Sequence, residues 1–124
     1  MLISWLSARE RLSTPQRRAL SRTHADRPLL VSDISLWEIA TLHELGRIRL
    51  TIPLREWLDR AVAPPLVDLC GITPLVAATV ASLPPTFHRD PADRIIVSTA
   101  LVMGASVITS DEKIIDAGIV ATIR

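Results

Sequence analysis

Residues 88–111 read HRDPADRIIVSTALVMGASVITSD. Asp90-Pro91 is a helix start: an acid at the cap and a proline at the first helical position, where its missing N–H costs nothing. The apolar run after it predicts a helix over Pro91–Met103, closed by Gly104. A short apolar strand over residues 105–108 comes next and runs out at Thr109-Ser110-Asp111. In an open parallel α/β sheet, ligands gather beyond the carboxyl ends of the strands. Asp111 sits at such an end, and Asp93 lies in the first turn of the helix leading into that strand. Two carboxylates in one cleft there would suit a divalent cation.

Outward from this stretch, the remaining chain repeats the same alternation. Ser13-Thr14-Pro15 starts a short basic helix carrying Arg17, Arg18 and Arg22, broken at Arg27-Pro28. Residues 29–31 read as a buried strand. Ser35 is placed to cap a helix over residues 36–45, with Glu38 as its capping-box partner, and Gly46 closes it. Pro53 opens a third helix, residues 54–63, with Trp57, Leu58 and Ala61 at helical spacing. Residues 66–72 read as a strand, Thr73-Pro74 caps a fourth helix, and a last strand comes after Gly118. The opening residues 1–6 read as part of a helix. Strands alternating with helices predict an α/β fold with a parallel sheet covered on both faces.

Composition sets the limits. The chain has 124 residues, which suits one domain spanning residues 1–124. Apolar residues make up 48% of it, too many for a disordered chain. A single cysteine, Cys70, excludes an internal disulfide and a thiolate zinc site, and its apolar setting predicts a small core residue. No apolar run approaches the length of a membrane span, and residues 1–6 are too short for a signal-peptide core. The expectation is a cytoplasmic protein with no membrane partner. Net charge is +1, but residues 1–62 carry ten arginines against seven acids, and residues 63–124 carry four basic residues against six acids. That division suits an anionic substrate steered toward an acidic pocket, and equally two sets of solvated helix faces.

Each acid has an ordinary structural account when taken singly. Asp90 caps a helix. Glu38 serves a capping box. Asp111 caps the turn holding Glu112 and Ile114. For Asp93 that account is weakest, because Asp90-Pro91-Ala92-Asp93 is more acidic than capping requires. Glu38, Asp93 and Asp111 each stand just after a strand or at a helix start, and all three can share one edge of the sheet.

The runs SLWEIA (35–40), LGRIRL (45–50), HRDPADRIIVSTAL (88–101) and ITSDEKI (108–114) resemble the PIN-domain ribonucleases of the VapC toxin type, in order and in spacing. The resemblance implies a PIN-like α/β/α sandwich around a central parallel sheet. It also implies an endoribonuclease dependent on Mg²⁺ or Mn²⁺, acting on RNA, dimeric, and held inactive by a cognate antitoxin. The family holds its metal with a quartet of acids. Three carry over by motif: Glu38, Asp93 and Asp111. Asp90, Arg94 and Thr109 fall at positions around the site.

The chain departs from the family at its front. The family opens with a buried central strand ending in Asp, whereas Met1-Leu2-Ile3-Ser4-Trp5-Leu6 resembles the part after that acid. The expectation is a domain lacking the first strand and one ligand, with Asp33 as a remote substitute. Two readings stay open: a metal-dependent RNase toxin, or a catalytically impaired domain keeping only its antitoxin-binding and dimer surfaces on the helices between Pro15 and Ala63. A phosphoacceptor receiver domain shares the length and alternation. It would need a lysine at a late strand end, and Lys113 lies inside the turn beyond Asp111.

Among the other polar residues, Arg94 is expected to orient an acid by an ion pair or to touch a phosphate. His88 reads as a surface histidine, with a general-base role as the alternative. Trp5, Trp37 and Trp57 read as core or interface. Two carboxylates about 5 Å apart repel by roughly 3 kcal/mol at an effective dielectric of 20, so the pocket should be strained without a cation.

Overall fold

The structure is a computed structural model, and it describes residues 2–3 and 13–124. Five strands form one parallel sheet: β1 (Leu2–Ile3), β2 (Leu29–Ser32), β3 (Val67–Cys70), β4 (Val107–Ile108) and β5 (Thr122–Ile123), in the order β3-β2-β1-β4-β5. The helices are α1 (Thr14–Ser21), α2 (Asp33–Glu44), α3 (Leu54–Ala61), α4 (Pro74–Ala81), α5 (Pro91–Met103) and α6 (Glu112–Ala117).

Strand alternation divides the core in two. Successive side chains point to opposite faces, so Leu29 and Val31 of β2 and Ile108 of β4 pack with Ala19 of α1. Leu30 and Val107 turn the other way and pack with Ile96 and Ala100 of α5 and Ile34 of α2. Helices thus cover both faces, as a parallel sheet requires. A third apolar cluster, Leu83, Phe87, Val97 and Ile114, joins α5 to the segment before it and to α6.

The helix of the decisive stretch folds as its local signals demand, and the strand after it is Val107–Ile108, shorter than the expected residues 105–108. Asp90 caps α5, its side chain accepting from the N–H groups of Ala92 and Asp93, and Gly104 ends the helix at φ +64°, a conformation that suits glycine. Elsewhere the placing of two helix or strand starts is corrected. Residues 1–6 are not helical throughout: Leu2–Ile3 is a strand, and it fills the central place in the sheet that was expected to be empty, Leu2 pairing in register with Leu30 and Val107. Trp5 and the rest of that opening segment lie outside the described residues. The second correction concerns α2, which begins at Asp33 with Ser32 as its cap, not at Leu36 with Ser35. β2 runs one residue past Val31, because Ser32 still pairs with Cys70 of β3, and the helix starts directly from the strand end.

Cys70 is on an edge strand and only half-buried, so it is not a core residue. Trp37 is 61% exposed and is not core either. Trp57 is half-buried on α3. Exposed Leu66, Leu69, Ile72 and Leu75 run along edge strand β3 and into α4. Among the described residues no helix is long and apolar enough to cross a membrane.

Candidate active site

The chain passes from β1 to β2 to β3 on one side, then crosses to β4 on the other. The switch in direction at β1 opens a crevice beyond the carboxyl ends of the strands, where α/β sheets bind ligands. Glu38 approaches from α2, which comes after β2. Asp93 is in the first turn of α5, and Asp111 comes after β4.

The correction to α2 removes the structural explanation for Glu38. With the helix starting at Asp33, Glu38 is in the second turn, beyond any capping box. Among the described residues its buried Oε1 has no hydrogen-bond partner, and Ser35, the expected cap, is itself buried with a hydroxyl that likewise has none. A buried carboxylate oxygen without a partner carries its desolvation cost uncompensated. Burial, followed by the charges of Asp93 and Asp90, pushes the Glu38 carboxyl up to about 7.

Asp93 is the hub. It is 5% exposed. Burial first, then Asp90 and Asp111, push its carboxyl up to about 6, against the opposing influence of His88 and Lys113. Asp90 and Asp111 thus act electrostatically on Asp93, and Asp93 and Asp90 act on Glu38. Asp90 and Asp111 also keep their structural work: Asp111 caps α6, accepting from the Lys113 N–H at 2.9 Å. The buried hydroxyl of Thr109 accepts from the Asp111 N–H at 3.0 Å and so shapes the turn that presents this acid.

Arg94 does not do what its position suggested. It is 8% exposed and forms no ion pair among the described residues. Its guanidinium donates to three main-chain carbonyls, those of Phe87, His88 and Val80, at 3.2–3.3 Å. A buried cation held by carbonyls at the end of α4 and in the loop before α5 fixes that loop. Among the described residues its charge touches no acid.

The loop it fixes carries the residue that sequence reasoning undervalued. His88 is half-buried, its ring edge-on to Phe87 at 4.6 Å between centroids. Its Nδ1 accepts from the Asp90 N–H at 3.4 Å, which leaves the proton of the neutral ring on Nε2. Nε2 lies 3.3 Å from Asp93 Oδ2, within ion-pair distance, though alignment falls short of a hydrogen bond. The only signal in the sequence was the one-residue spacing between His88 and Asp90. Asp33 stands elsewhere: its Oδ2 is beside Gly71, next to edge strand β3, and no described acid of the Asp93 group acts with it.

The donor set is all oxygen, buried at Asp93 and half-buried at Glu38 and Asp111, and crowded with like charge, which is the chemistry of a hard divalent cation. The unpartnered Glu38 Oε1 and the buried Asp93 carboxylate are the groups free to hold one. Among the described residues no three acids, histidines or cysteines close into a ready-made cage.

The chain belongs to the PIN-domain family: the family model of the PIN domain matches residues 1–120. Within that family it is of the VapC type. It is 42% identical over 110 residues to Ribonuclease VapC22 of Mycobacterium tuberculosis, covering 89% of this chain and 81% of that relative. Its fold also matches the crystal structure of FitAcB from Neisseria gonorrhoeae, at a TM-score of 0.66 and 17% identity, over 100% of this chain and 97% of that one.

Proposed function

We propose that this chain is a divalent-cation-dependent endoribonuclease, the toxin half of a toxin–antitoxin pair, acting in the cytoplasm as one domain. The observation that carries the reading is the buried, unpartnered carboxylate oxygen of Glu38, coupled to the buried Asp93. Among the described residues Glu38 has no partner that offsets the cost of burying its Oε1, and the contact of Asp93 with His88 leaves the Asp93 carboxyl still pushed up to about 6. The naming of the 42%-identical relative as a ribonuclease supports the choice of substrate.

In this reading Glu38 and Asp93 hold Mg²⁺ or Mn²⁺, with Asp111 completing the set. The ion, when bound, supplies a water of lowered pKa and offsets negative charge at the scissile phosphate. His88 orients Asp93 through Nε2, and Arg94 holds the His88 loop by its main chain. Asp90 and Thr109 set the backbone from which Asp93 and Asp111 project. Lys113, exposed beside Asp111, adds a positive charge where a phosphodiester must approach.

The antitoxin and a second copy of the chain would be received on apolar surface left open, of which Trp37 and Leu45 on and after α2 are the largest exposed examples between Pro15 and Ala63. RNA cleavage with Mg²⁺ or Mn²⁺, run beside Asp93→Asn and a chelator control, tests the enzyme. Cleavage that survives both controls would refute it.

A second reading rests on the residue after β1. The family resemblance expects a first strand that ends in an acid, whereas β1 is followed by Ser4 and residues 1–6 contain no acid. A site short of one ligand would bind cations weakly and cut slowly, leaving a domain that only engages its antitoxin. Calorimetric titration of Mn²⁺ into the chain, and into Ser4→Asp, separates the two. Equal, tight binding by both forms removes the impaired reading.

A further inference from the structure

A cavity of about 320 Å³ lies between the loop at residues 84–88 and α6. It is not a separate feature of the surface, because His88 and Lys113 belong both to its wall and to the surroundings of Asp93. Its volume falls at the small end of ligand pockets, roughly 300–1,000 Å³, with room for one flat heterocycle. Pro84, Ala117 and Ile119 supply apolar wall. Asp116 supplies the carboxylate of the lining and has no ion-pair partner among the described residues.

We propose that this cavity is a nucleobase subsite for the nucleotide next to the scissile phosphate, and that Asp116 makes it prefer guanine. The proposal rests on the ribonuclease reading for its polynucleotide, and on the cavity for its specificity. A carboxylate at neutral pH is an acceptor only. Guanine presents two adjacent donors, N1–H and the N2 amino group, which match the two oxygens of one carboxylate. Adenine and cytosine offer a single amino group beside a ring acceptor. Uracil offers one N–H between two carbonyls, whose oxygens face the carboxylate and are repelled. Lys113, at the rim nearest the acids, is a point charge suited to the connecting phosphate, which it reads without regard to base.

The test uses the full chain with chelator present, so that binding is read without cleavage. Four hexauridylates, each with G, A, C or U at one central position, are titrated by fluorescence anisotropy. The G-containing strand should bind ~3–10-fold more tightly than the U strand. Asp116→Asn and Asp116→Ala should abolish that preference, and Lys113→Ala should weaken all four strands alike. Both side chains are exposed, so the variants should keep the wild-type Tm. Equal binding of the four strands, or a guanine preference that survives both Asp116 variants, overturns the proposal. Guanosine monophosphate competing as tightly as the oligonucleotide would overturn the assignment to a polynucleotide. Guanine-selective binding without cleavage in Mn²⁺ leaves the subsite standing and removes the nuclease. Cleavage with base-indifferent binding does the reverse.

Discussion

Helices α4 and α5 start alike and part at the third helical residue. Each has a polar cap, Thr73 or Asp90, accepting from first-turn N–H groups, and each has proline at the first helical position. The third helical residue is buried in both. In α4 it is Val76, 2% exposed; in α5 it is Asp93, 5% exposed. Folding is served by the valine, which removes apolar surface from water. The aspartate occupies an equally dry position at a cost, and its carboxyl is pushed up to about 6 as a result. An acid that the fold does not need, in a crevice that ligands favour, is the mark of a site.

The largest effect expected from this contrast is on catalysis. Asp93→Asn keeps the shape and removes the charge. RNA cleavage should fall by ~100–1,000-fold, or about 3–4 kcal/mol of transition-state stabilisation, while the Tm of the ion-free protein should not fall. Wild-type cleavage rates in this variant would make Asp93 merely a helix-start acid. The converse substitution, Val76→Asp, places the same acid where no function receives it. It should cost about 2–4 kcal/mol in urea unfolding, since the carboxyl is buried without partners. A tolerated Val76→Asp would mean that the two positions are not equally dry.

The pH dependence sharpens the comparison further. Asp93 and Glu38 bind their protons more tightly in the folded protein than in the unfolded chain, whose reference values are 3.8 and 4.5. The stability they contribute is complete below those reference values and is lost as pH rises through about 6 for Asp93 and about 7 for Glu38. The ion-free protein should therefore be less stable at pH 8 than at pH 5, by roughly 1–2 kcal/mol. Glu38→Gln should flatten the profile, and Mn²⁺ should raise the Tm more at pH 8 than at pH 6, because binding displaces those protons. A rising apo profile over this range would show that the carboxyls are not strained. The smallest effect belongs to Asp111→Ala. Loss of the α6 cap should cost about 1 kcal/mol in stability. A cleavage defect far beyond that loss would assign Asp111 to the ion as well as to the helix.

How much of this was legible beforehand depended on the range of the forces involved. The α5 boundaries, Pro91–Met103, were readable because cap, proline and terminal glycine act within a turn. The start of α2 was misread by three residues. Ser32 and Ser35 are both good caps, and the choice between them was made by the pairing of Ser32 with Cys70, a residue remote in sequence. Two apolar residues, Leu2 and Ile3, are too short a run to mark a strand; the place of β1 comes from partners on both sides. Arg94 is the instructive error at the site. Its neighbour Asp93 suggested an ion pair, but a helical residue and the next one along point in different directions, and this guanidinium reaches carbonyls instead.

Taken alone, the amino-acid order determined the alternation of helices and strands, the helix ends marked by proline and glycine, and the acids worth watching. Those features arise from sterics and hydrogen bonds between near neighbours in the chain. Only the tertiary structure decided that Glu38 has no capping role, that His88 faces Asp93, and that the cavity beside α6 shares a wall with the acids. Each of these depends on elements distant in sequence being brought together, and burial and charge interaction exist only after they meet.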